Sequence, residues 1–140
     1  MATQQDKIVG GVLSSPGNFV DGAPVAPTLV NSVVVAPGGG GIVIYGYDGR
    51  NEDSAAKWIM VFDAAAVPAN GAQPLHIIGV PPAGTGATAG SGNFGFTTAS
   101  IYGEKFKNGI VVAVSTQDGT LALDTASKTA LCVDYDLIDY

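Results

Sequence analysis

One cysteine, Cys132, is all the chain contains, so no intrachain disulfide can form and no thiolate cluster can hold zinc or iron. Histidine is equally scarce. His76 is the single copy, and any Ser-His-Asp arrangement would have to be built on it. Positive charge is thin as well: Lys7, Arg50, Lys57, Lys105, Lys107 and Lys128 are scattered against twelve Asp and Glu, for a net charge of -6. A nucleic-acid face needs several cations together to displace counterions from phosphates. Nucleic acid is therefore not an expected partner. No apolar run approaches the roughly 18 to 20 residues of a membrane span, and the opening "MATQQDKIVGG" has no basic stretch followed by an apolar core. The chain is expected to be soluble, with no membrane partner and no export signal.

Glycine and proline are abundant. Twenty Gly and eight Pro punctuate 140 residues, and between them lie short segments rich in Val, Ile, Tyr and Phe, the pattern of strands joined by turns. The segments are residues 8–13 (IVGGVL), 28–35 (TLVNSVVV), 42–47 (IVIYGY), 57–63 (KWIMVFD), 75–80 (LHIIGV), 94–98 (FGFTT), 110–115 (IVVAVS) and 130–138 (ALCVDYDLI). This spacing predicts an all-β domain, a single β-sandwich or jelly roll of about eight strands. Residues 1–27, with Pro16-Gly17, Pro24 and Pro27, read as an extended N-terminal arm, and residues 28–140 as the β-sandwich domain.

In the last segment Leu131, Val133, Tyr135 and Leu137 alternate with Cys132, Asp134 and Asp136, so one face alone covers the core. The stretch "SAAKWIMVFDAAAV" admits a helix capped by Asp53 or Ser54. Against that, residues 58–62 are bulky all round, and Pro68 and Asn70-Gly71 close the segment as a loop does. A strand buried on both faces fits better, with Trp58, Met60 and Phe62 on one side and Ile59 and Val61 on the other. "PPAGTGATAGSG", residues 81–92, has no side chain larger than Thr and is expected to be a mobile loop.

Two glycine-rich stretches raise the question of phosphate binding. "APGGGGIVIYGYDGR", residues 36–50, lacks the lysine, the hydroxyl and the helix that a phosphate loop of the Walker type places after its glycines. Gly90 to Gly95 matches G-x-G-x-x-G in letters, but a Pro-rich loop precedes it and β-like "FGFTT" follows, so the strand and helix that give that motif its chemistry are missing. Both read as turn chemistry. His76, between Leu75 and Ile77, reads as a structural histidine of a strand. Asp134 and Asp136 would lie about 6 to 7 Å apart on one strand face, as a solvated edge or interface does; with Asp139 they also suggest paired carboxylates or a calcium site. The polar cluster Asp48-Gly49-Arg50-Asn51-Glu52-Asp53 has an arginine where a calcium loop needs Asp or Asn, and predicts a hairpin turn. No catalytic, cofactor-binding or metal-ligating residue is assigned, no cofactor is expected, and the chain does not read as an enzyme.

In order along the chain, "VVVAPGGGGIVIYGY", "AAKWIMVFDAAAVPANGAQP", "IIGVPPAG" and "FKNGIVVAVSTQDGT" together resemble a group of small structural proteins of tailed-bacteriophage virions. There an apolar strand with a Pro-Gly or Ser-Gly turn precedes an Ala-Ala-Lys/Arg-aromatic strand, a loop with two prolines, and a glycine-led strand ending in Ser or Thr. The resemblance covers residues 28–138 and leaves out residues 1–27. The four consecutive glycines and the "GTGATAGSG" loop depart from the pattern. It implies a β-sandwich virion component assembled in the host cytoplasm, with no catalytic residues to carry over. A small acidic domain with a Pro-rich arm suits a capsid decoration (cement) protein on the outer shell, bridging copies of the major capsid protein, since acidity disfavours a place against packaged DNA. The alternative is a tail, neck or head-fibre component contacting other virion proteins. A carbohydrate-binding or hydrolytic jelly roll is a third reading; it calls for aromatic platforms beside carboxylates, and the only tryptophan, Trp58, lies in the most buried-looking strand. Mean hydropathy of +0.31 with 13% charged residues leaves apolar surface for partners, and a homotrimer is the expected assembly.

Overall fold

Segments this short, rich in β-branched and aromatic residues and cut by Gly and Pro, bury their apolar sides best by pairing into sheets. A computed structural model describes residues 11–14, 19–20, 23–24, 29–84, 92–98 and 103–138. Its strands are β1 (Gly11–Ser14), β2 (Phe19–Val20), β3 (Ala23–Pro24), β4 (Ser32–Val35), β5 (Gly41–Asn51), β6 (Lys57–Asp63), β7 (His76–Val80), β8 (Asn93–Thr97), β9 (Glu104–Phe106), β10 (Ile110–Ser115) and β11 (Thr129–Ile138). One sheet runs β1-β11-β5-β8, with β9 also pairing β5; a second runs β4-β10-β6-β7; β2 and β3 form a small ribbon. Every pairing is antiparallel. The chain is an all-β sandwich. Among the described residues there is no helix long and apolar enough to cross a membrane.

The two sheets meet through one apolar layer. Ile42, Ile44, Leu131 and Val133 from one face Ile59, Val61, Ile110 and Val112 from the other, and each of these is at most 1% exposed. Strands β6 and β10 are buried on their second side too. There Met60, Phe62, Val111, Ala113 and Leu121 form a separate core, with Trp58, Val67, Ala72 and Leu123 packed around it. The loops that cover it are tied to each other: Gly71 N donates to Leu121 O at 2.7 Å, Leu121 N to Ala72 O at 3.0 Å, and Leu123 N to Asn70 Oδ1 at 2.9 Å. The expected division of β6 into a Trp58-Met60-Phe62 side and an Ile59-Val61 side is what these two cores contain, although Trp58 itself is only half-buried. The helix reading of this stretch falls away with it.

The four glycines turn the chain between sheets. Gly38 N donates to Gly41 O and Gly41 N to Gly38 O, at 3.1 and 3.0 Å, and Gly41 has φ of +106°, a conformation that side chains disfavour. Three differences from the sequence reading stand out. β5 does not stop near residue 47 but runs to Asn51, so the hairpin turn expected at 48–53 is overturned: Asp48 and Arg50 are the outward, solvated positions of a long strand. β9 escaped notice, being three residues long with two of them charged. Of the segment expected at 28–35, residues 29–31 are not a strand, Val30 making a single bridge to Thr129, and residue 28 lies outside the described residues. Residues 85–91, most of the loop expected at 81–92, and residues 1–10 lie outside the described residues.

The pairing of β5 with β11 carries a bulge. Asp134 pairs with Gly46 and Tyr135 with Ile44, leaving Tyr45 as the extra residue. The bulge lets Ile42, Ile44 and Tyr47 all reach the core despite the odd spacing from 44 to 47.

Candidate functional site

Loops cover the outer face of the four-stranded sheet; among the described residues the outer face of the five-stranded sheet carries no such cover, and a groove lies on it. Register places Cys132, Asp48 and Gly95 in one row across β11, β5 and β8, and Asp134, Gly46 and Thr97 in the next. Two of those six positions have no side chain. The result is a cavity of about 370 Å³ walled by Tyr45, Asp48, Thr97, Cys132 and Asp134, with Gly46 and Gly95 beneath. Glycine at 46 is demanded by the close approach of β8: a Cβ there would sit 2.4 Å from Phe96 O. At Gly95 the only neighbour of a Cβ among the described residues would be Asp48 Cβ at 3.7 Å, so that space belongs to the groove.

The bulge pushes Tyr45 out of the strand alignment and sets its ring, half-buried, beside the groove. Burial raises the phenol pKa above its ordinary value, and the negative charges of Asp136 and Asp134 raise it further. The ring therefore stays neutral. Asp136 Oδ1 is buried without a hydrogen-bond partner among the described residues.

A second polar assembly lies where β5 leaves its sheet. Asn51 is fully buried, and its Nδ2 donates to Ala55 O at 2.9 Å and Pro81 O at 3.0 Å while its Oδ1 accepts from Asp53 N at 2.9 Å. Lys57, nominally one of the scattered surface cations, has a side chain 5% exposed, with Nζ 3.1 Å from Asp53 Oδ2 and 3.2 Å from Asp124 Oδ2. Burial pulls the Lys57 pKa down, but hydrogen bonds to Asp53 and Asp124 outweigh it and the net shift is upward. The hydrogen bond from Lys57 holds the Asp53 carboxyl below its ordinary value. One buried ammonium shared between two carboxylates holds the crossover between sheets, so the residues of the 48–53 segment are divided: Asp48 faces the groove, and Asn51 and Asp53 tie the fold.

Another titratable pair spans the two sheets, where His76 of edge strand β7 meets Glu104 of β9. His76 Nε2 lies 2.6 Å from Glu104 Oε1, and the imidazole is tilted against Phe96 with ring centroids 5.7 Å apart. Tyr47 stacks on the same Phe96 ring, the centroids 5.1 Å apart. Its hydroxyl is buried with no hydrogen-bond partner among the described residues, and burial together with the charge of Glu104 pushes its pKa up to about 12. His76 thus bridges two sheets.

Asp134 and Asp136 do share the outer face of β11, but Asp139 lies outside the described residues. Among the described residues no three His, Cys, Asp or Glu side chains are placed to hold a metal ion. The letters of Gly90 to Gly95 run into strand β8 instead of a helix, which removes the dinucleotide reading. What sequence reasoning missed is Tyr45 and the glycine floor, because the rows that bring them together depend on pairing three distant strands. Comparison of the chain with protein-family models, with curated proteins and with solved structures finds no match in any of the three.

Proposed function

We propose that the chain is a non-enzymatic structural component of a tailed-bacteriophage virion, a capsid decoration protein that acts as a homotrimer on the outer shell and bridges copies of the major capsid protein. The observation that carries this reading is β1. Gly11–Ser14, from the segment ahead of the sandwich, lies along the edge of β11 and pairs with Ser14 opposite Cys132 and Gly11 opposite Tyr135. Adding a strand from an arm to a sheet edge uses main-chain hydrogen bonds and suits any copy of the same edge, so the same pairing can be made within one chain or between neighbours. Net charge of -6 favours a place away from packaged DNA, and the resemblance over residues 28–138 points to the same class of protein.

The test is a mass-spectrometric census of purified particles followed by cryo-electron microscopy. The reading expects the chain among the virion proteins and β-sandwich density in threefold groups on the shell. Density at the neck, tail or a head fibre would replace decoration by the alternative location, and absence of the chain from purified particles would end the virion reading. Deleting residues 2–27 tests the arm: a truncated protein that stays soluble and decorates particles at full strength removes the arm from attachment.

A further inference from the structure

We infer that the glycine-floored groove on the outer face of the five-stranded sheet is a saccharide-binding subsite, with Tyr45 as its stacking face and Asp48 and Asp134 as acceptors for sugar hydroxyls. A pyranose ring offers one apolar C–H face and a girdle of hydroxyl donors. It therefore needs an aromatic face, planar acceptors to one side and clear space between them. The groove supplies all three. Tyr45 is set beside the opening by the β5 bulge, the carboxylates of Asp48 and Asp134 stand in adjacent rows on different strands, and positions 46 and 95 carry no side chain. Thr97 adds a hydroxyl on the far wall.

Size decides between a sugar and a cation. Three strands put the walls about 10 Å apart, and a cavity of about 370 Å³ lies within the range of small-molecule sites. An ammonium group fills little of that space and makes no use of the flat glycine floor. A ring does both. This inference goes beyond the virion reading and does not rest on it, because it concerns the isolated protein.

The experiment is a two-dimensional amide NMR titration of the full chain with methyl glycosides of glucose, galactose, mannose and N-acetylglucosamine, each to tens of millimolar, and with spermine in a separate arm. The expected result is saturable shifts from at least one glycoside, centred on Tyr45, Asp48, Gly95, Thr97 and Asp134. Gly95→Val and Tyr45→Ala should each weaken that binding at least about tenfold. The Cβ of a residue at 95 meets Asp48 Cβ at an ordinary 3.7 Å among the described residues, and valine suits a strand, so the melting temperature of Gly95→Val should hold while the groove is filled; it carries the test if Tyr45→Ala fails to fold. No shift with any glycoside, shifts centred elsewhere, affinity unchanged in Gly95→Val, or a response to spermine alone would each overturn the saccharide assignment.

Discussion

Replacing Tyr47 by Phe removes one oxygen from the interior, and the surroundings of that oxygen give the effect both a sign and a pH dependence. The ring is 3% exposed and stacked on Phe96, contacts that phenylalanine keeps. The hydroxyl has no hydrogen-bond partner among the described residues, and a buried polar group left unpaired costs about 1 to 3 kcal/mol. At pH 7 Tyr47→Phe should therefore be neutral or stabilising by up to about 2 kcal/mol. At high pH the difference widens. The folded phenol has its pKa pushed up to about 12 from the ordinary 10.0, so the unfolded chain loses its proton first. Stability from this group is complete below pH 10 and is lost as pH rises through 12; two units correspond to about 2.7 kcal/mol. Urea melts of the two proteins from pH 8 to 12 isolate it, because Tyr45 and Lys57 contribute equally to both. The wild type should lose about 2 to 3 kcal/mol more than Tyr47→Phe across that interval. Parallel pH curves, or a loss above about 1 kcal/mol for the variant at pH 7, would refute the argument that the hydroxyl is unpartnered.

Other substitutions separate the remaining contributions. Lys57→Met strands the 3%-exposed Asp124 carboxylate, and denaturant melts should show a loss of about 3 to 5 kcal/mol, partly recovered when Asp124→Asn is added. In acid the sign runs the other way: the lowered Asp53 pKa gives stability that is present above about pH 4 and lost as pH falls through the folded value, so the acid slope of the melting temperature should flatten in Lys57→Met. Gly46→Ala drives a Cβ to 2.4 Å from Phe96 O and should cost about 1 to 3 kcal/mol, with amide exchange quickened first in β8. Trp58→Ala opens the loop-covered core from a half-buried position and should cost about 3 kcal/mol; a cost below about 1 kcal/mol would show that the loops do not lean on the ring.

Strand positions were legible where a whole segment was apolar or alternated cleanly, and not in β9, where one buried Phe106 follows two charged residues. "KWIMVFD" and "IVVAVS" occupy β6 and β10 at the residues their composition predicts, because apolar side chains on both faces leave no solvated helix stripe. The alternation of Leu131, Val133, Tyr135 and Leu137 likewise gave the inward face of β11. Legibility failed where polar residues do structural work inside. Asp48 to Asp53 carries every local mark of a turn, yet Asn51 saturates its amide with the carbonyls of Ala55 and Pro81, and Asp53 binds a lysine that the same chain buries. Those partners are supplied by tertiary structure, and local propensity has no access to them.

The groove was illegible for a related reason, though one trace of it lies in the chain. Strand faces alternate every second residue, and in "IVIYGYDGR" the inward set Ile42, Ile44 cannot continue to Tyr47 without one extra residue between them. That phase error is the signature of a bulge, and a bulge on a half-open sheet turns a side chain outward next to a residue that must be small. Tyr45 and Gly46 are that pair. What the local pattern could not supply is the second glycine and the second carboxylate, since Gly95 and Asp134 reach Asp48 and Gly46 only through pairing with strands far along the chain. A bulge can thus be read from phase alone, whereas a groove needs the register of both flanking strands, and a register slip of one residue in β8 would bury Gly95 and place Phe94 or Phe96 in the open space. The same fact makes the groove a sensitive reporter of register: its volume exists only when Gly95 stands opposite Asp48 and Gly46 opposite Asp134.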